Sequence, residues 1–160
     1  LFYCHSKGVV HRDIKPENVL IGENFEVKII DFSIATTKMD RLLSIFGGKT
    51  AGSPSYMAPE QILSKKTDHR ADIYAFGILC YELLARRLPF NGKSMQELFQ
   101  KHCKEVPPPV RQINSSVPLE VSECISGLIE KDPDKRPKDL KQAIYLIGKR
   151  ELTATKRLAT

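Results

Sequence analysis

No apolar run in this 160-residue sequence approaches the roughly 18 residues of a membrane-spanning helix, so the chain itself is not expected to cross a bilayer. No signal-peptide pattern opens it, which points to a cytoplasmic setting. Cys4, Cys80, Cys103 and Cys124 form no Cys-x-x-Cys pair, and no histidines cluster at metal-ligand spacing. A structural zinc site or a disulfide framework is therefore not expected. There is no internal repeat and no low-complexity segment. Charge of one sign is also in short supply, because 25 basic residues face 19 acidic ones along the whole chain. The net charge of +6 then reads as a solvated basic surface, densest at Lys149, Arg150, Lys156 and Arg157, and not as a nucleic-acid site. The sequence opens on Leu1, already in helix-like residues. The expectation is a piece of a longer protein, whose other parts could include a membrane anchor.

The length suits one domain or one large subdomain with a real core. Leu1 to Lys7 resembles the end of a helix, stopped at Gly8. Val19-Leu20-Ile21 and Val27-Lys28-Ile29-Ile30 are short strand-like runs joined by a Gly22-Glu23-Asn24 turn. Residues 31 to 60 lack sustained periodicity and carry Gly47, Gly48, Gly52, Pro54 and Pro59, the marks of a long functional loop. From Ala71 to Leu84 the chain is apolar on most sides. Ile73, Phe76, Gly77, Cys80, Leu83 and Leu84 fall at helical spacing, which predicts a central buried helix with Cys80 in the core. Ser94 with Glu97 three residues on reads as a helix start. Pro107-Pro108-Pro109 reads as a non-helical connector, and Leu119 to Ile129 and Leu140 to Ile147 as amphipathic helices. The predicted class is α+β: a mostly helical body with one small β-hairpin.

The chemistry concentrates in His11-Arg12-Asp13-Ile14-Lys15-Pro16-Glu17-Asn18. A hydroxyl that accepts a phosphoryl group needs a carboxylate to orient it and take its proton, and Asp13 fits. The transferred phosphate needs a divalent cation to neutralise developing charge. Asn18 offers an amide oxygen, and Asp31, at the end of the second strand, a second oxygen brought back by the hairpin. Magnesium suits such a pair because it takes few protein oxygens and keeps phosphate and water ligands.

This run resembles the catalytic loop of eukaryotic-type serine/threonine protein kinases. Asp31-Phe32-Ser33 is similar to their metal-binding Asp-Phe-Gly motif, and Ala58-Pro59-Glu60 to the close of their activation segment. Asp72-Ile73-Tyr74-Ala75-Phe76-Gly77 resembles the start of their long buried helix, and Arg136 the arginine paired with the activation-segment glutamate. The resemblance implies a C-terminal kinase lobe over residues 1–149, with the catalytic loop at 11–18, the activation segment at 31–60 and a basic tail at 150–160. It implies ATP and Mg2+ as cofactors, a protein substrate with a Ser or Thr acceptor, and an N-terminal lobe carried elsewhere.

By the same resemblance Asp13 would be the catalytic base, and Lys15, typical of the serine/threonine class, would contact the transferring phosphate. Asn18 and Asp31 would hold the metal. Leu20 would line the floor of the adenine pocket, or serve as an ordinary core residue of its strand. Arg12 would read a phosphorylated activation loop, with Thr50 and Ser44 the candidate sites ahead of Thr36 and Thr37. The Ser53 hydroxyl would bond Asp13 and Lys15, within a Gly52-to-Met57 stretch that receives the peptide. Glu60 and Arg136 would form a buried ion pair, and Asp72 would accept hydrogen bonds from the backbone around His11 and Arg12. His11 reads as a packed residue, and His5, His69 and His102 have no evident partner.

Two departures stand out. Ser33 occupies the glycine position of the metal-binding motif and narrows its conformational freedom. A Gly-rich phosphate loop, its strand lysine and their partner glutamate are absent from the sequence. The closing Pro59-Glu60-Gln61 and the proline-rich connector look most like bacterial members. Two alternatives remain at this level: a small-molecule phosphotransferase, which would lack the long segment ending in Ala-Pro-Glu, and a pseudokinase or interaction module. For these 160 residues alone, inactivity is expected, because the ATP cleft would be half present.

Overall fold

The computed structural model describes residues 1–24, 26–32, 53–141 and 145. Ser33, Ser44 and Thr50, with Thr36, Thr37 and the basic tail, lie outside the described residues. Helix α1 (Phe2–Ser6) ends before Gly8, whose φ of +73° glycine adopts without the strain a side chain would bring. A 3-10 turn, Pro16–Asn18, leads into β1 (Val19–Ile21), which pairs antiparallel with β2 (Val27–Ile29), Val19 opposite Ile29. The hairpin falls where the strand-like runs predicted it, with Gly22 N–H bonded back to Glu26 C=O at 2.8 Å. A second 3-10 turn, Pro54–Tyr56, precedes the short helix α2 (Pro59–Ile62).

Helix α3 (Arg70–Ala85) is the hub. Tyr74, Ile78 and Tyr81 enter one apolar cluster, Ile73 a second, and Ala75 with Leu79 a third. A helix that feeds clusters on several sides must be enclosed, which is why its sequence is apolar nearly all round. The enclosure ends at its last turn: Leu83, expected inside, is 69% exposed, because the chain emerges there before Arg86 turns left-handed at φ 54°. Cys80 is only partly buried but packs against the first cluster, and desolvation pushes its thiol up to about 12.

Helix α4 (Met95–Lys104) starts at Ser94, whose Oγ accepts from Glu97 N–H at 3.1 Å, while Glu97 reaches back to Lys93 N–H at 2.7 Å. The Pro107-Pro108-Pro109 connector is non-helical, but a short helix follows that the sequence did not advertise, α5 (Val110–Ile113). Helix α6 (Leu119–Leu128) packs along α3. Their approach is fixed at Gly77, where a Cβ would lie 2.7 Å from both Leu128 Cβ and Ile129 Cγ2. Leu140 and Lys141 are helical, and Leu140 joins the Ile73 cluster; the rest of the run expected to reach Ile147 lies, Tyr145 apart, outside the described residues. Among the described residues no helix is long and apolar enough to cross a membrane.

Candidate active site

The loop between α1 and β1 carries the site, and its shape is imposed from α3. Asp72 is fully buried in the first turn of that helix. Its Oδ2 accepts from His11 N–H at 2.8 Å and its Oδ1 from Arg12 N–H at 2.7 Å. A buried carboxylate needs such donors to offset lost hydration. The bonds also hold Arg12 at φ 68°, a left-handed conformation that costs a non-glycine residue of order 1 kcal/mol or more. A third donor had no signature in the sequence: His5 Nε2 lies 2.8 Å from Asp72 Oδ2. Below the loop, Gln61 donates to Arg12 C=O at 3.3 Å and accepts from Ala58 N–H at 3.0 Å, tying the loop to the start of α2.

His11 is fully buried and its tautomer is fixed by its neighbours. Nδ1 accepts from Asp13 N–H at 3.3 Å, so Nε2 carries the proton and donates to Ile30 C=O at 3.0 Å. The ring meets Phe32 edge-on at 4.6 Å between centroids. This is the packed role expected of it, and it links the loop to the end of β2.

Asp13 is buried between three donors. Lys15 Nζ lies 3.0 Å from its Oδ2, Asn18 Nδ2 is 3.2 Å from Oδ2, and Ser53 N–H donates to Oδ1 at 2.8 Å. Burial pushes the carboxyl up, but hydrogen bonds from Lys15 and from the Ser53 backbone and hydroxyl outweigh it and hold Asp13 below the ordinary carboxylate value. Ser53 thus acts through its N–H as well as through the hydroxyl singled out in the sequence. The bond to Asp13, against some desolvation, raises the Lys15 pKa, and Glu17 and Asp31 add weaker attraction.

Asn18 is buried and spends its amide NH2 on Asp13, on the backbone C=O at 2.8 Å and on the carboxylate. Two acceptors on that side fix the amide orientation and leave Oδ1 as its acceptor. The Asn18 carbonyl accepts from Ile30 N–H at 3.0 Å, which carries Asp31 back beside the loop. Asp31 is exposed, with φ 62°. Leu20 is half exposed at 50% and is no core residue; β1 has no layer packed over that face among the described residues. Ile21, Val27, Ile30 and Phe32 are exposed beside it.

Glu60 and Arg136 form the expected pair, bidentate at 2.7 and 2.8 Å and buried on both sides. Arg136 also donates to the carbonyls of Glu130, Arg70 and Lys131, so all five of its N–H groups are used. The guanidinium lies 4.9 Å from the Tyr74 ring centroid. Tyr56, in the turn after Ser53, donates to Glu82 at 2.6 Å. The other histidines also have partners that sequence spacing could not reveal: His69 meets Lys138 C=O at 3.0 Å and His102 meets Tyr74 Oη at 2.9 Å.

A buried carboxylate, a neighbouring ammonium, an amide oxygen and an exposed carboxylate are thus carried on one loop and hairpin. Residues 1–145 match the family model described as "Protein kinase domain". The chain belongs to the protein kinase family. A probable serine/threonine-protein kinase of Clostridium perfringens is 38% identical over 88% of this chain and 20% of its own length. Serine/threonine-protein kinase PrkC of Bacillus subtilis is 37% identical over 84% of the chain and 20% of its own length. Mouse aurora kinase C is 39% identical over 85% of the chain and 46% of its own length. The chain spans about a fifth of the length of these bacterial relatives. Bacterial-type kinases are thus among its relatives, in keeping with the bacterial look of Pro59-Glu60-Gln61, at identities comparable to that of the animal kinase.

Proposed function

We propose that this chain supplies the acceptor and metal side of an ATP-dependent protein kinase that phosphorylates Ser or Thr hydroxyls. The observation that carries this is Asp13, kept ionised between Lys15 Nζ at 3.0 Å and Ser53 N–H at 2.8 Å. Asp13 orients the acceptor hydroxyl and takes its proton. Lys15, once a phosphate arrives, has an ammonium free to turn from Asp13 to the transferring oxygens. Its presence also favours the serine/threonine class. Asn18 Oδ1 and the Asp31 carboxylate are hard oxygen donors that fit magnesium. That metal needs only one or two carboxylates beside phosphate and water. Bound there with ATP, Mg2+ would neutralise charge on the phosphates.

The residues around the loop have positioning roles. Asp72 sets the backbone of His11 and Arg12, and the Glu60–Arg136 pair anchors the segment after Ser53. Arg12 is the group to read a phosphate on the activation loop, at Thr50 first. Leu20 and the apolar residues exposed beside it on the hairpin form a surface suited to an adenine ring and to a covering N-terminal lobe. That lobe would bring the Gly-rich loop and lysine that this sequence does not contain. The chain is then a C-terminal lobe acting in the cytoplasm, where ATP is available.

The test uses the full-length protein with ATP, Mg2+ or Mn2+ and a generic basic protein substrate. Asp13→Asn should cut kcat by about 10²–10⁴-fold with ATP KM little changed. The 160 residues alone should transfer phosphate only at background rate. A full-length wild-type protein that transfers none would replace this reading with a pseudokinase or interaction module.

A further inference from the structure

Helix α6 turns Cys124, Ile125 and Leu128 into the core. Its opposite face, together with α5, lines an open groove of about 720 Å³. Leu119, Glu123 and Gly127 of α6 and Glu130 just beyond it contribute one part of the lining, and Pro109 and Gln112 another. A Cβ on Gly127 would meet nothing within 4 Å, so the groove has room where a helix normally carries a side chain. Leu119 is 52% exposed. Glu123 and Glu130 are exposed, and neither enters an ion pair among the described residues. Arg111 also lines the groove and donates to Val117 C=O, which leaves two carboxylates against one guanidinium. The groove is therefore acidic, with an apolar edge.

We propose that this groove is the docking site of the chain's own basic segment, residues 149–157. Two observations favour that occupant. The first is reach. Leu140 packs with Cys124 and Leu128 on the inner side of α6, so the chain leaves the described core beside this helix. Lys149 follows nine residues later. Even at a helical rise of about 1.5 Å per residue that is about 13 Å, against a helix about 10 Å across to be rounded. The second is charge. Lys149, Arg150, Lys156 and Arg157 are the densest basic stretch of the sequence, with Glu151 the one acid among them. Seven positions separate Lys149 from Lys156 and Arg150 from Arg157, as seven separate Glu123 from Glu130. The stems of such cations cover apolar surface while their heads stay with carboxylates, which suits the Leu119 and Pro109 edge. The proposal uses no residue of the site around Asp13 and does not depend on the kinase reading.

The experiment compares the full-length wild type with Gly127→Phe and with Glu123→Lys/Glu130→Lys. A water-soluble carbodiimide joins a lysine amine to a carboxylate in contact with it. In wild type it should link Lys149 or Lys156 to Glu123 or Glu130, and a mixture of 15N-labelled and unlabelled protein should show the links to lie within one chain. Gly127→Phe fills the groove without meeting the fold. It should lower the cross-link yield about five- to tenfold, the scale of two exposed ion pairs, with the unfolding midpoint no lower. In Glu123→Lys/Glu130→Lys, trypsin should cut residues 149–157 faster than in wild type by a similar factor, and about 0.5 M NaCl should bring wild type to the same rate. If Gly127→Phe melts early, the trypsin comparison decides. Absence of the links in wild type, an undiminished yield in a stable Gly127→Phe, or cleavage at the wild-type rate in the charge-reversed variant overturns the proposal. Links found only between copies also overturn it, and give the groove to a second chain.

Discussion

Replacing Arg136 by methionine keeps much of the side chain's length and removes its charge and all five of its donors. The Glu60 carboxylate, 5% exposed, would then be left in the interior beside Tyr74 without its partner. The carbonyls of Glu130, Arg70 and Lys131 lose their donors in the same step. Breaking a buried pair from one side costs about 3–5 kcal/mol, mostly the penalty of the charge left behind. For a chain of this size about 1 kcal/mol moves the midpoint by roughly 2–4 °C, which gives an expected fall of about 6–20 °C. Scanning calorimetry or thermal circular dichroism of the folded protein measures it. Adding Glu60→Leu should recover part of the loss, since no charge is then stranded, but not all of it, because three carbonyls still lack donors. A single variant melting within about 1 °C of wild type would refute this, and would mean that water reaches Glu60 in solution.

Two further outcomes follow from the loop. Asp72→Asn must point an NH2 at one of two backbone donors, His11 N–H or Arg12 N–H, because both carboxylate oxygens accept; the full-length protein should lose stability and transfer activity together. An unchanged kcat would show that the loop holds its shape without α3. For Asp13, folding stabilises the ionised form, so its contribution is complete above the ordinary value of 3.8 and disappears as pH falls through the lowered folded-state pKa. Carboxyl 13C titration should give a midpoint below 3.8 that rises in Lys15→Met, and a midpoint above 3.8 in wild type would contradict the hydrogen bonds described.

What the sequence made legible were features coded by near neighbours or by strong composition. The hairpin came from β-branched runs around Gly22, the hub helix from an apolar stretch without a polar face, and the α4 start from Ser94 and Glu97. The Glu60–Arg136 pair was legible only through family resemblance, since the residues are 76 positions apart. What stayed hidden was mostly set by tertiary contact. His5 reaches Asp72 across 67 positions, and His102 meets Tyr74 from another helix; a lone histidine carries no local mark of either partner. Helix α5 follows three prolines and is one turn long, too short for periodicity to register. Leu83 was misjudged because helical spacing reports which face a residue takes, not whether anything covers that face.

The contact at Gly77 makes the spacing of two helices a mechanical input to a remote clamp. Leu128 and Ile129, which fill the space a side chain at position 77 would need, are followed directly by Glu130 and Lys131, whose carbonyls grip Arg136. Even one methyl group at position 77 would lever α6 outward and drag that two-residue grip with it. Arg136 would then have to choose between following its carbonyls and keeping Glu60. The absence of an atom in the middle of α3 is thus transmitted, through a rigid backbone step, to the fastening of the segment that holds Ser53 against Asp13.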